Sequence, residues 1–144
     1  MLRFTSALKT EYIEDLERLM FFNPDQQSAI SAIVGSIERF GVPSVYNDNG
    51  CLRVKVEKLD EVQSLFALDG DTLAGVLVYS RVSLECLAVI HIVVDQDYSS
   101  HGKFAQNMLV MRMLELLRNS ASRVKGVETI RIMYGDNQIR NFSV

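Results

Sequence analysis

Apolar residues recur along this chain in two rhythms, one of about 3.6 residues and one of two, and the changes between them mark its elements. Residues 2–8 read as a short opening strand. From Thr10, which has the side chain of an N-cap, Tyr12, Ile13, Leu16, Leu19 and Met20 keep helical spacing and predict a first helix. A second starts at "NPDQ", where Asn23 offers a cap, Pro24 a preset φ for the first helical position and Gln26 a side chain that reaches back. Its stripe is Ile30, Ile33, Ile37 and Phe40, and Gly41 followed by Pro43 stops it.

The rhythm then shortens. "NDNG" at 47–50 is turn chemistry, and in "CLRVKVEK" Leu52, Val54 and Val56 alternate with Arg53, Lys55 and Glu57, a strand over 51–58 with one wet face. "SLFAL" and "TLAGVLVYS" flank "DGD" at 69–71, a hairpin in which Gly70 tolerates the positive φ of a tight turn. Residues 84–94 are nearly all apolar, the mark of a central strand covered on both faces. After "SSHGK" at 99–103, the longest helix is predicted from Phe104 to Lys125. Met108, Leu109, Val110, Met113, Leu114, Leu116 and Leu117 cover most of its circumference, so it should be largely buried, with Met108, Met111 and Met113 as core filler. Gly126 ends it. "VETIRIMYG" is a further strand, and a right-handed crossover makes it parallel to the central one. The order βαα, antiparallel strands, βαβ defines an α/β class.

Composition narrows the classes. The chain has 144 residues, enough for one domain over 1–144 with a real core, and shows neither repeat nor linker. It is 48% hydrophobic and 23% charged, and no apolar run approaches the roughly 20 residues that span a bilayer, so a membrane protein is not expected. The first residues lack the apolar stretch of a secretory signal, and a cytoplasmic address is the expectation. A net charge of -3 argues against a nucleic-acid binder. Cys51 and Cys86 lie in strand-like runs rather than a disulfide framework, and two histidines without ligand spacing give a metal nothing to bind.

The junction between central strand and long helix carries the candidate chemistry. The first turn of a helix leaves backbone N–H groups without partners, and the macrodipole adds positive charge there, so main chain alone can hold an anion. His101 and Lys103 are suited to neutralising phosphate, and equally suited to any exposed turn.

Three stretches, "LFALDGDTLAGVLVYS", "IVVDQDY" and "FAQNMLVMRMLELL", together with the element order, resemble the GNAT superfamily, acyltransferases that use acetyl-CoA. The resemblance implies a GNAT-like fold of βαα-βββ-βαβ order, acetyl-CoA or CoA as substrate without a metal, and an amine acceptor, either a small molecule or a protein. It implies that the backbone at Ile92, Val93 and Val94 grips pantetheine, and that His101, Gly102, Lys103, Phe104 and Ala105 hold the pyrophosphate. The family's loop, Arg or Gln, two residues, Gly, one residue, Gly or Ala, fits in two registers. One places Gly102 at the middle glycine and Phe104 last. The other places Lys103 in the middle and Ala105 last, keeping Met108 and Leu109 in phase with the buried face. Farther on, Asn137 matches the family, Arg140 stands where it has Ala, and Val144 stands where it has the Tyr that protonates the thiolate. The family's final helix and strands are expected to be missing, and the strand at 51–58 is additional.

Acyl transfer to an amine needs a base near neutral pH, a donor for the carbonyl oxygen and a proton for the thiolate. His91, in the central strand, is the candidate base; Glu85, on the same face by period two, is placed to orient it or act alone; Tyr134, ending the last predicted strand, is the candidate acid. Each has a plain alternative: a structural histidine, a solvated carboxylate, an edge aromatic. Two functions stay open. One is an acyl-CoA-dependent N-acyltransferase. The other is a GNAT-like domain that has lost catalysis and serves as a CoA-binding, regulatory or protein-interaction module, with a homodimer formed through sheet edge that missing strands leave uncovered.

Overall fold

The computed structural model describes residues 1–21, 30–133 and 140–144. Its main sheet has six strands in the order β1 (Leu2–Thr5), β5 (Gln63–Asp69), β6 (Thr72–Ser83), β7 (Cys86–Val94), β8 (Thr129–Ile132) and β9 (Arg140–Ser143). All neighbours are antiparallel except β7 and β8, which run parallel with Cys86 opposite Thr129 and Val89 opposite Ile132. The parallel pair is joined by α3 (Leu109–Ala121), the crossover that the sequence predicts. The chain is therefore α/β with a mixed sheet.

A second sheet packs on the other face. It orders β2 (Leu8–Lys9), β4 (Cys51–Val56) and β3 (Pro43–Asp48), all antiparallel. The opening strand of the sequence reading is thus two strands. The Thr5 hydroxyl accepts from the Ala7 N–H at 3.0 Å and donates to the Ala7 carbonyl at 3.1 Å, and this local turn redirects the chain from one sheet to the other. The alternation in β4 has its expected meaning: Leu52, Val54 and Val56 are buried, Arg53 and Lys55 exposed. β3 was not predicted, because "PSVYND" opens on a proline and has no regular alternation; its pairing with β4 holds it in place.

Helix α1 (Ile13–Phe21) follows a 3-10 turn at Thr10–Tyr12, so Lys9 rather than Thr10 stands at the cap. Leu16, Leu19 and Met20 are buried as expected. The predicted start of the second helix at Asn23, Pro24 and Gln26 lies outside the described residues. Within them, α2 covers Ile30–Phe40 and ends just before Gly41, but Ile37 is exposed rather than buried.

α3 lies on one face of the main sheet with Leu109, Met113, Leu117 and Ala121 against Leu77, Leu87, Val89 and Ile130. At Gly75 it comes close enough that a Cβ there would lie 3.2 Å from Met113 Sδ and from Val94. This helix is shorter than the predicted 104–125, and only its every-fourth-residue line is buried, whereas Met108 and Met111 are 61% and 58% exposed. A helix laid on one sheet face needs one apolar stripe, and its remaining apolar residues are left in water. On the opposite face, Phe66, Val76 and Val78 meet α1 and the second sheet, while Ala88 and Ile90 meet Val56 and Phe40. β7 is covered on both faces, as its composition predicts.

The carboxyl-terminal expectation needs correcting. β9 pairs along β8 from Ile132↔Arg140 to Thr129↔Ser143, so one more strand follows the parallel pair, and β9 rather than β8 is the edge of the sheet. Its short, mixed sequence "RNFS" has no alternation long enough to predict a strand.

Candidate functional site

β7 places the candidates, and its register decides which of them meet. Opposite β6, Val78 pairs with His91 but Tyr79 pairs with Val89, so β7 carries an extra residue at this point. The bulge turns His91 to the side of Ile90, beside Met20, Val54 and Val78 and away from α3. His91 is 7% exposed, and burial pushes its imidazole down to a pKa of about 4. At neutral pH it is uncharged.

Glu85 is not its neighbour. It is exposed in the turn before β7, where its carbonyl accepts from the N–H groups of Glu128 and Thr129 at 2.7 and 3.0 Å. Five strand residues, Cys86 to Ile90, lie between it and His91, a span of roughly 15–20 Å at strand rise. The period-two argument fails twice, since Glu85 precedes the strand and the bulge breaks the alternation. Tyr134 and Asn137 lie outside the described residues.

Ile92 and Val94 face the α3 core and Val93 the α1 core. The described parallel pairing stops at Val89, and beyond it α2 reaches over the strands: Ser36 Oγ donates to the Ile90 carbonyl at 3.2 Å, and Arg39 Nη1 to the Met133 carbonyl at 3.1 Å. No local pattern marks Ser36, and the sequence reading missed it.

The turn after β7 is wound through its own hydrogen bonds. A 3-10 turn at Gln96–Tyr98 begins it, with Asp95 Oδ1 accepting from the Asp97 N–H at 3.1 Å. The Gly102 N–H then donates to the Ser99 carbonyl at 3.0 Å, Phe104 to Asp97 at 2.7 Å, Ala105 to Gly102 at 3.2 Å and Met108 to Ala105 at 3.1 Å. Gly102 lies so close to the Gln96 and Asp97 carbonyls that a Cβ would overlap both. In either register of the loop, then, three of the five amides expected to hold a diphosphate, those of Gly102, Phe104 and Ala105, donate inside the turn. His101 is exposed. Lys103 Nζ folds back to 3.9 Å from Asp97 and 5.2 Å above the Phe104 ring.

Tyr98 ties this turn to the β5–β6 hairpin. Its ring is buried and 5.0 Å from that of Phe104, and its hydroxyl donates to Asp69 in the β5–β6 turn. Asp69 also meets the amino group of Met1 at 2.9 Å. The Tyr98 hydroxyl and that amino group hold the Asp69 carboxyl below its ordinary range, and burial followed by the Asp69 bond raises the Tyr98 phenol. Both residues stand in stretches singled out by sequence, but only the fold pairs them. Between this turn and α1, a cavity of about 350 Å³ is walled by Asp15, Asp71 and Asp95, and its Arg18 is already 3.2 Å from Asp15. Its charge is the reverse of what a diphosphate requires.

Among the described residues, no group of three or more His, Cys, Asp or Glu is gathered to hold a metal ion, and no helix is long and apolar enough to cross a membrane. Compared with known proteins, the chain matches no family model, no curated protein and no solved structure.

Proposed function

We propose that the chain is a GNAT-like domain that has lost acyl transfer and works as a regulatory or protein-interaction module. The GNAT reading is supported by the order of the main-sheet elements and helices, β1, two helices, the antiparallel run β5-β6-β7, then β7-α3-β8 as a parallel crossover, to which β2, β3 and β4 add a second sheet. Loss of catalysis is supported above all by the closed turn, in which the amides of Gly102, Phe104 and Ala105 already have main-chain acceptors. An anion entering there must break those bonds before it makes its own. The separation of Glu85 from His91, and a histidine whose basicity burial lowers, point the same way.

One observation favours the acyltransferase reading: His101 and Lys103 stand exposed at the strand-to-helix junction where a CoA diphosphate would lie. Thermal unfolding with CoA or acetyl-CoA near 1 mM separates the two. A ligand at about one hundred times its Kd stabilises the native state by about 2.7 kcal/mol and raises Tm by several degrees. The closed turn predicts no shift. A saturable rise with acetyl-CoA overturns this reading, and amine acetylation lost in His91→Ala with acetyl-CoA binding intact would establish an enzyme.

A further inference from the structure

A cavity of about 640 Å³ lies at the other end of β7 and α3 from the turn. A volume of that size holds a small organic molecule or one long side chain. Its apolar floor comes from the sheet and helix, with Leu87 from β7 and Leu117 and Ala121 from α3. Val82 and Val124 continue that surface onto the rim, 43% and 42% exposed. The opposite wall is the segment between β4 and β5, fixed by Ser80 Oγ donating to the Glu61 carbonyl at 2.7 Å.

Formal charge on these walls sums to zero, Lys58 and Arg81 against Asp60 and Glu61, but their hydrogen-bond partners are not evenly shared. Both cations keep their charge but lean on main chain: Lys58 Nζ donates to the Glu38 carbonyl at 3.2 Å, and Arg81 Nη2 to the carbonyls of Leu84 at 2.5 Å and Lys125 at 3.1 Å. The anions are Asp60 and Glu61, and neither takes part in an ion pair among the described residues. Tyr79 adds a phenol at the inner wall, kept protonated because burial raises its pKa. What remains without an ion-pair partner, beside an apolar floor, is the two exposed carboxylates of Asp60 and Glu61, with the Tyr79 hydroxyl near them in the lining.

We propose that this cavity binds an alkylammonium group, its carbon stem along Leu87, Leu117 and Val124 and its charge at Asp60 and Glu61. The assignment is independent of whether the turn after β7 admits CoA. Two sources supply this chemistry, a free amine and the lysine side chain of a peptide. Hexylammonium and N-acetyl-lysine methylamide stand for them, and hexanol tests the charge.

Backbone amide NMR of the full chain reads the result. The proposal expects saturable shifts confined to residues 58–63, 79–82 and 117–124 with at least one of the two ammonium probes, the tighter one naming the source. Hexanol should bind more weakly, and the Asp60→Asn, Glu61→Gln double variant should weaken the ammonium probes about threefold to tenfold, the range of two partly exposed ion pairs. Ser120→Phe, an exposed position on the rim, fills the cavity without touching the core and should abolish binding of all three. Failure of both ammonium probes to saturate by about 20 mM, near the weak limit of specific small-ligand affinity, overturns the site. Equal affinity for hexanol and hexylammonium, or shifts elsewhere in the chain, overturns it as well.

Discussion

The two ends of α3 are built from similar material and reach opposite results. At its amino end the chain from Asp95 to Met108 folds into successive tight turns whose amides bond to their own carbonyls. At its carboxyl end the last turn of the helix stands away from the segment between β4 and β5 and leaves a cavity. A strand-to-helix junction is a ready anion site only while its N–H groups point outward without partners. Here the amides of Gly102, Phe104 and Ala105 are already bonded to main-chain carbonyls, and a cavity lies at the opposite end of the helix.

The strongest way to break this contrast is at Gly102. If close packing closes the turn, Gly102→Ala drives a Cβ into the Gln96 and Asp97 carbonyls, which are backbone and cannot swing aside. The expected loss is about 3 kcal/mol of stability, the upper part of the overpacking range, read as a lower urea midpoint with unchanged slope. A loss under about 0.5 kcal/mol, the level of an ordinary surface change, would mean that the turn opens readily. The same variant with CoA present would then be the place to look for recovered binding.

His91, midway along β7, gives the next effect. Its folded pKa near 4 lies below the unfolded value of 6.5, so the unfolded chain binds a proton that the fold refuses. Stability from this group is complete above pH 6.5 and falls as the pH drops toward 4, by about 2–3 kcal/mol at the lower limit. Denaturant titrations across that window should show the slope in the native chain and a flatter line in His91→Gln. An equal slope in both would mean that His91 reaches water, and would restore it as a candidate base.

How far all this could be read from sequence differs along the molecule for physical reasons. β5, β6, β7 and their order with α3 and β8 were legible because burial on one or both faces imposes a period on the residues themselves. β3 and β9 were not: each is short, and pairing with a neighbour rather than its own pattern makes it a strand. The span of α3 was overestimated because a continuous apolar run does not say how many of its faces find a partner, and the left-handed backbone at Met108 interrupts it. The expectation that Glu85 and His91 share a face failed at a bulge, which no single strand's composition reveals. The junction was located correctly, yet its closure depends on hydrogen bonds among residues whose types are those of any polar turn.

The smallest effect concerns the tie from that turn to the β5–β6 hairpin. Asp69 is held below its ordinary pKa first by the Tyr98 hydroxyl and then by the Met1 amino group, so its contribution is present above the unfolded carboxylate pKa of about 3.9 and is lost as the pH falls through the lower folded value. The pair is part-exposed, and water screens what it gives, so the change should be slight and confined to acid. Tyr98→Phe keeps the ring against Phe104 and removes only the hydroxyl. Hydrogen exchange at Gly102, Phe104 and Ala105 is then the sensitive measure, because those amides report opening of the turn rather than of the whole fold. Faster exchange at these three in the variant, with α3 and β6 unchanged, would show that the hairpin clamps the turn shut from outside. Unchanged exchange would mean that the turn's own hydrogen bonds suffice, and that the closed end of α3 owes nothing to the strand beside it.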